Sequence, residues 1–197
     1  FIAEGITLNA NKMSKSGQAF ACVRFGNVAN SRGSVIPVYI ANLLNRKPLQ
    51  VSDPEVTRFI MEILDAVKLV IKATEYAQGA EIFILKMKAF KLGDLVDVIV
   101  NRIAPRLNIP KDDIKINVTG LVSGEKLHED LINDTEFSRI YELEDMYAIL
   151  PNGKSYSEYP LMTRTSLSRY ASSDVSLISK DEIEQIVLKD LEKQRWV

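Results

Sequence analysis

Residues 19–44 read AFACVRFGNVANSRGSVIPVYIANLL, and this stretch decides the fold class. Residues 19–25 are apolar and β-prone, and the run ends at Gly26, a turn signal. Small polar residues fill the loop at 27–34, and apolar residues then recur near helical spacing over 35–44. A strand that leads through a loop into a helix is the repeating element of α/β folds, so we predict that class.

The rest of the chain continues this alternation. Short apolar runs predict strands at 49–52 and 82–85, and an alternating pattern predicts a half-buried strand at 114–118. The segment 151–168 has little periodicity and is expected to be a loop or an arm. Because the strands are few and scattered, they indicate the last strands of a larger parallel sheet joined to a small α/β cap.

Helices are predicted where apolar residues recur every three or four positions. One amphipathic helix covers 62–77, one covers 92–103 and stops before Pro105, and the last begins with a capping box at Ser179. One or two helical turns are expected over 126–132. The apolar stripe of the first helix consists of Ile63, Val67, Val70 and Ile71.

Composition and charge exclude several classes of protein. Apolar residues make up 46% of the chain and charged residues 26%, which excludes a disordered chain. The 25 basic and 26 acidic residues nearly cancel, so nothing favours nucleic acid as a partner. A single cysteine, Cys22, and a single histidine, His128, exclude a disulfide scaffold and a His-rich metal site. No apolar run is long enough to span a membrane, and we expect a cytoplasmic protein.

The chain opens with Phe1 and with residues that read like the end of a helix, so we expect it to be the downstream part of a longer protein. It contains neither a glycine-rich dinucleotide fingerprint nor a Tyr-x-x-x-Lys pair, so no catalytic residue is assigned. Three segments nevertheless carry groups that suit a ligand.

The first of these segments is Ser31-Arg32-Gly33-Ser34, which opens the helix at 35–44. Gly33 lets a ligand approach the backbone, Ser34 is a candidate helix cap, and free amides at a helix start favour phosphate. The alternative is an ordinary capped helix start with a surface arginine.

The other two segments are VSDPEVTRF at 51–59 and GEKLHE at 124–129. In the former, a turn followed by Arg58 suits a diphosphate, and the alternative is a surface ion pair of Arg58 with Asp53 or Glu55. In the latter, a dense run of charges is more often a solvated face, and its histidine is more often a partly exposed bystander than a ligand.

In this order, RFGNVANSRGSVIP, VSDPEVTRFIMEILDAV and SGEKLHEDLI resemble the C-terminal half of the UDP-N-acetylglucosamine 4,6-dehydratases. These are CapD-like polysaccharide biosynthesis proteins of the extended short-chain dehydrogenase/reductase family. The resemblance implies the end of a Rossmann-type domain over residues 1–50. It implies a substrate-binding region with a terminal arm and helix over residues 51–197.

The resemblance also implies an enzyme that acts on a nucleotide sugar and forms a homo-oligomer in the complete protein. In such enzymes a hydride leaves C4 of the sugar, water is lost across C5–C6, and the hydride returns to C6. The cofactor NADP performs the redox chemistry and is regenerated in each cycle. The Tyr-x-x-x-Lys pair and the dinucleotide fingerprint would lie upstream of Phe1, so NADP would be bound mainly by the missing N-terminal part.

Eight residues of this chain receive a role from the resemblance. Those whose backbone would lie beside the nicotinamide are Val28 and Ala29. Those at the substrate would be Asn27, Arg32, Gly33, Ser34, Arg58 and Glu125. Arg58 and Glu125 would contact the UDP portion, and Asn27 would touch the sugar nucleotide.

One position departs from the family pattern. Relatives carry arginine, then proline or histidine, before Gly-Glu-Lys, whereas this chain has Val122 and Ser123. Val122 therefore stands either where an arginine would face the diphosphate or in the core of the cap. Two other functions stay open: a nucleotide-sugar epimerase of the same family, and a non-catalytic nucleotide-sugar-binding or assembly module. Residues upstream of Phe1 would separate them.

Overall fold

The computed structural model describes residues 2–14, 17–154, 157, 159 and 161–194. The chain divides into two units, and each unit is built from three separate stretches. The first comprises Phe1–Gly26, Glu62–Met87 and Asp130–Ala171, and the second comprises Asn27–Met61, Lys88–Glu129 and Ser172–Val197. The expected division at residue 50 concerns the family's domains and stays a prediction.

The first unit contains a mixed five-stranded sheet. Numbered along the chain, its strands lie in the order β1 (Cys22–Arg24), β5 (Ile82–Leu85), β9 (Met146–Ile149), β8 (Ile140–Glu142) and β10 (Thr163–Arg164). β1 and β5 are parallel, and the other pairs are antiparallel. The described helices of this unit include α1 (Ile2–Ala10), α3 (Ile63–Tyr76) and a 3₁₀ helix at Asp134–Arg139. The strand predicted at 82–85 is confirmed, and its Phe83 is fully buried.

α3 confirms the predicted helix, but its apolar stripe lies at the surface. Such a stripe ordinarily faces the core. The buried residues of α3 are instead Ala66, Leu69 and Ala73. Two alanines let a helix approach a sheet closely, so the face with less bulk is the buried one. The stripe residues and Leu64 are between 45% and 62% exposed: Ile63, Leu64, Val67, Val70 and Ile71.

The described part of the second unit combines two small sheets with four α-helices, a π-helical turn at Ile99–Ile103 and a 3₁₀ helix at Lys111–Asp113. One sheet has the order β2 (Asn27–Val28), β4 (Thr57–Met61), β6 (Lys88–Lys91), and the other pairs β3 (Leu49–Val51) with β7 (Ile116–Val118) in parallel. The α-helices are α2 (Val35–Leu44), α4 (Leu92–Val98), α5 (Ala104–Arg106) and α6 (Lys180–Gln194). Their apolar faces form one core whose fully buried members include Ile40, Leu95, Ile99, Ile103 and Val187.

The start of α6 confirms the capping box. The N–H of Glu182 donates to Ser179 Oγ at 3.2 Å, and the N–H of Ser179 donates to Glu182 Oε2 at 2.8 Å. The helix predicted at 92–103 was expected to stop before Pro105, and this is wrong. It continues through a π-helical turn at Ile99–Ile103 into α5. We attribute this to the wider π turn, which leaves room for the proline ring.

Two further expectations are wrong. β7 is not half-buried, since Ile116 is 45% and Val118 is 63% exposed, and among the residues that the structure describes this strand pairs with β3 alone. Residues 126–132 form no helical turn: they contain bends and an isolated bridge between Asp130 and Ala171. The backbone there has other partners, because the carbonyl of Leu127 accepts the N–H of Thr57. In the segment 151–168, residues 155, 156, 158 and 160 lie outside the described residues, and β10 occupies part of the remainder.

Candidate functional site

The second unit contains a cavity of about 450 Å³ at the N-terminal end of α2. Seven of the eight residues given a role by the family resemblance line it: Asn27, Val28, Ala29, Gly33, Ser34, Arg58 and Glu125. The eighth, Arg32, is exposed and is not among the lining residues. Apolar side chains form part of the wall, including Val56, Ile60 and Phe90.

The start of α2 offers unused hydrogen-bonding groups to this cavity. Ser34 occupies the N-cap position, but its side chain makes no capping hydrogen bond, so the expected cap is wrong. Its Oγ is buried and has no partner among the described residues. The N–H groups of Val35 and Ile36 have no partner within the helix, and both residues line the cavity. This end of a helix favours an anion.

Gly33 gives the loop before α2 its shape. Its φ is +78°, in the left-handed region, and a Cβ at this position would meet no atom within 4 Å. The constraint is therefore conformational rather than steric, because side chains rarely adopt this backbone angle.

Arg58, on β4, is held by other parts of the second unit. Its Nη1 donates to the carbonyls of Thr57 at 2.8 Å and Leu127 at 3.2 Å. Its Nη2 donates to Glu125 Oε1 at 3.1 Å, and its Nε lies 3.8 Å from Glu129 Oε1. The guanidinium thus lies between two carboxylates.

The surface ion pair considered for Arg58 is not formed. Glu55 pairs instead with Lys91 at 2.6 Å, and Asp53 accepts the N–H of Glu55. That alternative is therefore wrong. Arg58 is only 18% exposed, which places its charge in the wall of a cavity rather than on an open surface.

Glu125 connects three sides of the cavity. Its Oε1 accepts from Ser52 Oγ at 2.9 Å as well as from Arg58, and its Oε2 accepts the N–H of Val122 at 3.3 Å. Val122 itself is 64% exposed, so the idea that it packs into a core is wrong. A longer, charged side chain at this position would meet solvent rather than apolar neighbours.

Tyr39 is a neutral donor in the same cavity. Its hydroxyl donates to the carbonyl of Gln50 at 2.6 Å. Burial, with a further contribution from the Glu125 carboxylate, raises the pKa of Tyr39 to about 12. The phenol therefore stays protonated at neutral pH and cannot serve as a base there.

Two residues of this region, Glu129 and His128, received no role from the sequence. Glu129 accepts the N–H of Phe59 at 3.0 Å and lies 3.3 Å from Asn27 Nδ2. The Nδ1 of His128 lies 2.8 Å from Thr57 Oγ1, so this partly exposed histidine has a partner within the second unit. No local spacing could have identified these contacts, because their partners are about 70 or more positions away in the chain.

Val28 and Ala29 suit the face of an apolar ring. The N–H of Ala29 donates to the carbonyl of Met61, and the carbonyl of Val28 accepts the N–H of Ser31. These backbone groups are therefore occupied, and what the two residues offer the cavity is apolar surface.

Neither a metal site nor a membrane span is found in the described part of the chain. Its His, Cys, Asp and Glu residues form no group of three or more that could hold a metal ion. None of its helices combines the length and the apolar character needed to cross a bilayer.

The family profile for polysaccharide biosynthesis proteins matches residues 1–151. The chain belongs to this family. An uncharacterized membrane protein of Methanocaldococcus jannaschii is 40% identical over 187 residues, which cover 94% of this chain and 54% of that protein. The capsular polysaccharide biosynthesis protein CapD of Staphylococcus aureus is 36% identical over 184 residues, which cover 92% of this chain and 27% of CapD.

A UDP-glucose 4-epimerase of Rickettsia rickettsii is 30% identical over 193 residues, which cover 95% of this chain and 54% of the epimerase. This member of the polysaccharide biosynthesis family thus spans about half the length of two of these curated relatives and about a quarter of CapD. What the whole protein does is therefore a matter for proposal.

Two solved structures share the fold. Pen from Bacillus thuringiensis superposes with a TM-score of 0.83 at 34% identity, over 96% of this chain and 56% of Pen. A dTDP-glucose 4,6-dehydratase from Bacillus anthracis, solved in complex with NAD, gives a TM-score of 0.52 at 13% identity. The alignment covers 98% of this chain and 51% of the dehydratase. At 13% identity, the similarity shows a shared fold and nothing further. The predicted α/β fold is confirmed, and this chain spans about half of each of these two structures.

Proposed function

We propose that this chain is the substrate-binding part of an NADP-dependent nucleotide-sugar 4,6-dehydratase of the UDP-N-acetylglucosamine type. The protein would act in the cytoplasm, as a homo-oligomer, in the synthesis of surface polysaccharides or glycans. One observation carries the proposal: seven of the eight residues that match the family's site line a single cavity within one unit. These residues are separated by up to about 100 positions in the chain, so their meeting is not a local effect.

The proposed roles follow from the groups that face the cavity. The diphosphate lies at the start of α2, where the N–H groups of Val35 and Ile36 and the hydroxyl of Ser34 donate to its oxygens. Arg58 supplies the positive charge. Glu125, an acceptor, binds a hydroxyl of the nucleoside. This leaves the sugar beside Asn27.

The chain also orients and shields the reacting end of the ligand. When bound, NADP supplies the hydride chemistry. Val28 and Ala29 provide the apolar surface against which the nicotinamide rests, and the wall of Ile60 and Phe90 keeps water from that side. Proton-handling groups would belong to residues outside this chain.

The test is turnover by the full-length protein with NADP and UDP-N-acetylglucosamine. Mass spectrometry of the nucleotide sugar is expected to show loss of one water, the signature of a 4-keto-6-deoxy product. Binding of the nucleotide sugar without any turnover would instead identify a non-catalytic binding module and contradict the proposal.

A second candidate is a nucleotide-sugar 4-epimerase, which the 30% identity to the rickettsial UDP-glucose 4-epimerase favours. An epimerase changes configuration without changing mass. A product of unchanged mass that separates chromatographically as the C4 epimer would therefore establish this candidate and exclude dehydration.

A further inference from the structure

Glu129 connects two of the residues proposed to bind substrate. Its Oε2 accepts the backbone N–H of Phe59 at 3.0 Å, and both carboxylate oxygens lie 3.3 Å from Asn27 Nδ2. Its Oε1 lies 3.8 Å from the Nε of Arg58. The carboxylate of Glu129 thus lies near three groups: the Asn27 amide on β2, the backbone N–H of Phe59 on β4 and the guanidinium of Arg58.

The groups around this carboxylate explain why position 129 carries an acidic residue. A backbone N–H, a side-chain amide nitrogen and a guanidinium nitrogen are all donors, and an ionised carboxylate only accepts. A glutamine would turn an NH₂ group toward at least one of these donors. The environment therefore selects for the charge as well as for the length of the side chain.

The backbone of Glu129 is itself held in place. Its N–H donates to Ser172 Oγ at 2.9 Å, and its carbonyl accepts the N–H of Ser172 at 2.9 Å. Ser172 is fully buried and also bonds to Thr57, on the same strand as Phe59. Because Ser172 and Thr57 are both buried, the backbone that carries the carboxylate has a defined position, while the Glu129 side chain itself is 30% exposed.

That position determines which way the Asn27 amide points. Asn27 Nδ2 donates to the carbonyl of Phe59 at 3.1 Å and faces the Glu129 carboxylate. Both neighbours are acceptors, so the NH₂ group must face them and Oδ1 must face away. Within the described residues no group donates to this Oδ1, and Asn27 lines the cavity.

We propose that Glu129 is a positioning residue that turns the Asn27 amide so that its Oδ1 is presented to the ligand. The ligand group at that point is a hydrogen-bond donor of the sugar, either a hydroxyl or an acetamido N–H. A phosphate oxygen, which only accepts at neutral pH, does not bind there. The inference rests on the proposed nucleotide-sugar function and adds a chemical condition on the sugar.

The experiment measures dissociation constants of the full-length protein by calorimetric titration with UDP, UDP-glucose and UDP-N-acetylglucosamine. The sugar increment is the ratio of the UDP constant to the UDP-sugar constant. The variants are Glu129→Gln, Asn27→Leu and the two combined. Glu142→Gln is the control, since that carboxylate belongs to the first unit and pairs with Lys86.

The expected result is a loss of about tenfold in the sugar increment for Glu129→Gln and for Asn27→Leu, the scale of one hydrogen bond. The constant for UDP itself should stay within about threefold, which also shows that the variants fold. The double variant should lose no more than Asn27→Leu alone, because Glu129 acts through Asn27. The control should bind all three ligands like the wild type.

The two UDP-sugars identify the donor. A loss for both indicates a hydroxyl that they share, and a loss for UDP-N-acetylglucosamine alone indicates the acetamido N–H. Equal losses for UDP and UDP-sugars would show a purely structural role and overturn the inference, as would an unchanged sugar increment. Failure of the wild type to bind any of the three ligands would instead overturn the proposed function.

Discussion

Each unit of this protein contains an arginine between two glutamates, and the two clusters differ in the distances between the guanidinium and the carboxylates. Arg24 donates to Glu4 at 2.6 Å and to Glu136 at 2.8 Å, with its side chain only 10% exposed. Its Nη1 also donates to the carbonyl of Leu131. The protein itself uses the donors of this guanidinium, so Arg24 serves the fold.

Arg58 is held more loosely and faces a cavity. Its contacts with Glu125 and Glu129 measure 3.1 and 3.8 Å, and its side chain is 18% exposed. The contacts of Arg58 with its carboxylates are therefore longer than those of Arg24, whose donors are all used by the protein. Arg24 with Glu4 and Glu136 thus forms a closed arrangement that stabilises the fold, whereas Arg58 with Glu125 and Glu129 forms an open arrangement that we propose to bind a ligand.

The largest expected effect is on the closed arrangement. Arg24→Ala leaves two carboxylates, largely buried, without their counter-charge, so we expect a loss of about 3–5 kcal/mol in the free energy of unfolding. Urea denaturation measures it. The control is Arg46→Ala, which removes an ion pair with Asp113 whose side chains are 63% and 46% exposed, and should cost less than about 1 kcal/mol. Similar small losses for both variants would contradict a structural role for Arg24.

A substitution in the open arrangement should change the affinity for a ligand more than the free energy of unfolding. Arg58→Ala is expected to weaken UDP-sugar binding by about 1.5–3 kcal/mol, because a charge-assisted hydrogen bond to the ligand is lost. Affinity for NADP should hardly change. Calorimetric titration with each ligand tests this, and equal losses for both would indicate a folding defect in place of a lost contact.

Val122→Arg adds a positive charge near the open arrangement of Arg58, Glu125 and Glu129. We expect UDP to bind more tightly by on the order of 1–2 kcal/mol, with a gain that shrinks as salt rises. The melting temperature should not fall, because Val122 is already 64% exposed. Titrations at low and high salt beside a thermal melt would check both statements. Unchanged UDP affinity at low salt would mean that position 122 does not face the phosphates.

The smallest expected effect is a pH dependence of the unfolding free energy, caused by Glu136 in the closed arrangement. Burial acts to raise the pKa of Glu136, but hydrogen bonds from Arg24 and from the backbone at Asn133 outweigh it, so the pKa lies below its ordinary value. Because the Glu136 pKa is lower in the folded state, this carboxylate stabilises the fold at pH values above about 4.3, the pKa of a glutamate in the unfolded chain. The stabilisation is lost as the pH falls through the pKa of the folded state.

Glu136→Gln should therefore remove part of the acid sensitivity. The difference in unfolding free energy between wild type and variant is expected to shrink between about pH 6 and about pH 3. Denaturant titrations across that range provide the measurement, with Glu142→Gln, 40% exposed, as the control. A difference that stays constant with pH would show that the Glu136 carboxyl does not titrate with folding.

Much of the secondary structure could be predicted because its causes are local. The strand at Ile82–Leu85 and the capping box at Ser179 depend on residues within a few positions of each other. The three family motifs likewise pointed to Asn27, Arg58 and Glu125, which the fold brings to one cavity. What these residues do there stays a prediction.

Other features depended on which element packs against which. Periodicity alone marked the stripe of α3 that includes Val67 and Ile71, yet the fold buries the side with Ala66 and Ala73. The alternation at 114–118 resembled a half-buried strand, yet β7 is an edge whose side chains are exposed. Sequence shows that a face is apolar, but burial requires a partner of matching shape.

The sequence by itself determined the α/β class, most of the elements and the family motifs, because propensity, capping and turn chemistry act between neighbours in the chain. Only the tertiary structure decided that Arg24 joins Glu4 to Glu136, and that Glu129 reaches Asn27 across 102 positions. A hydrogen bond of a few ångströms between such distant residues depends on how the intervening elements pack, which no local preference encodes.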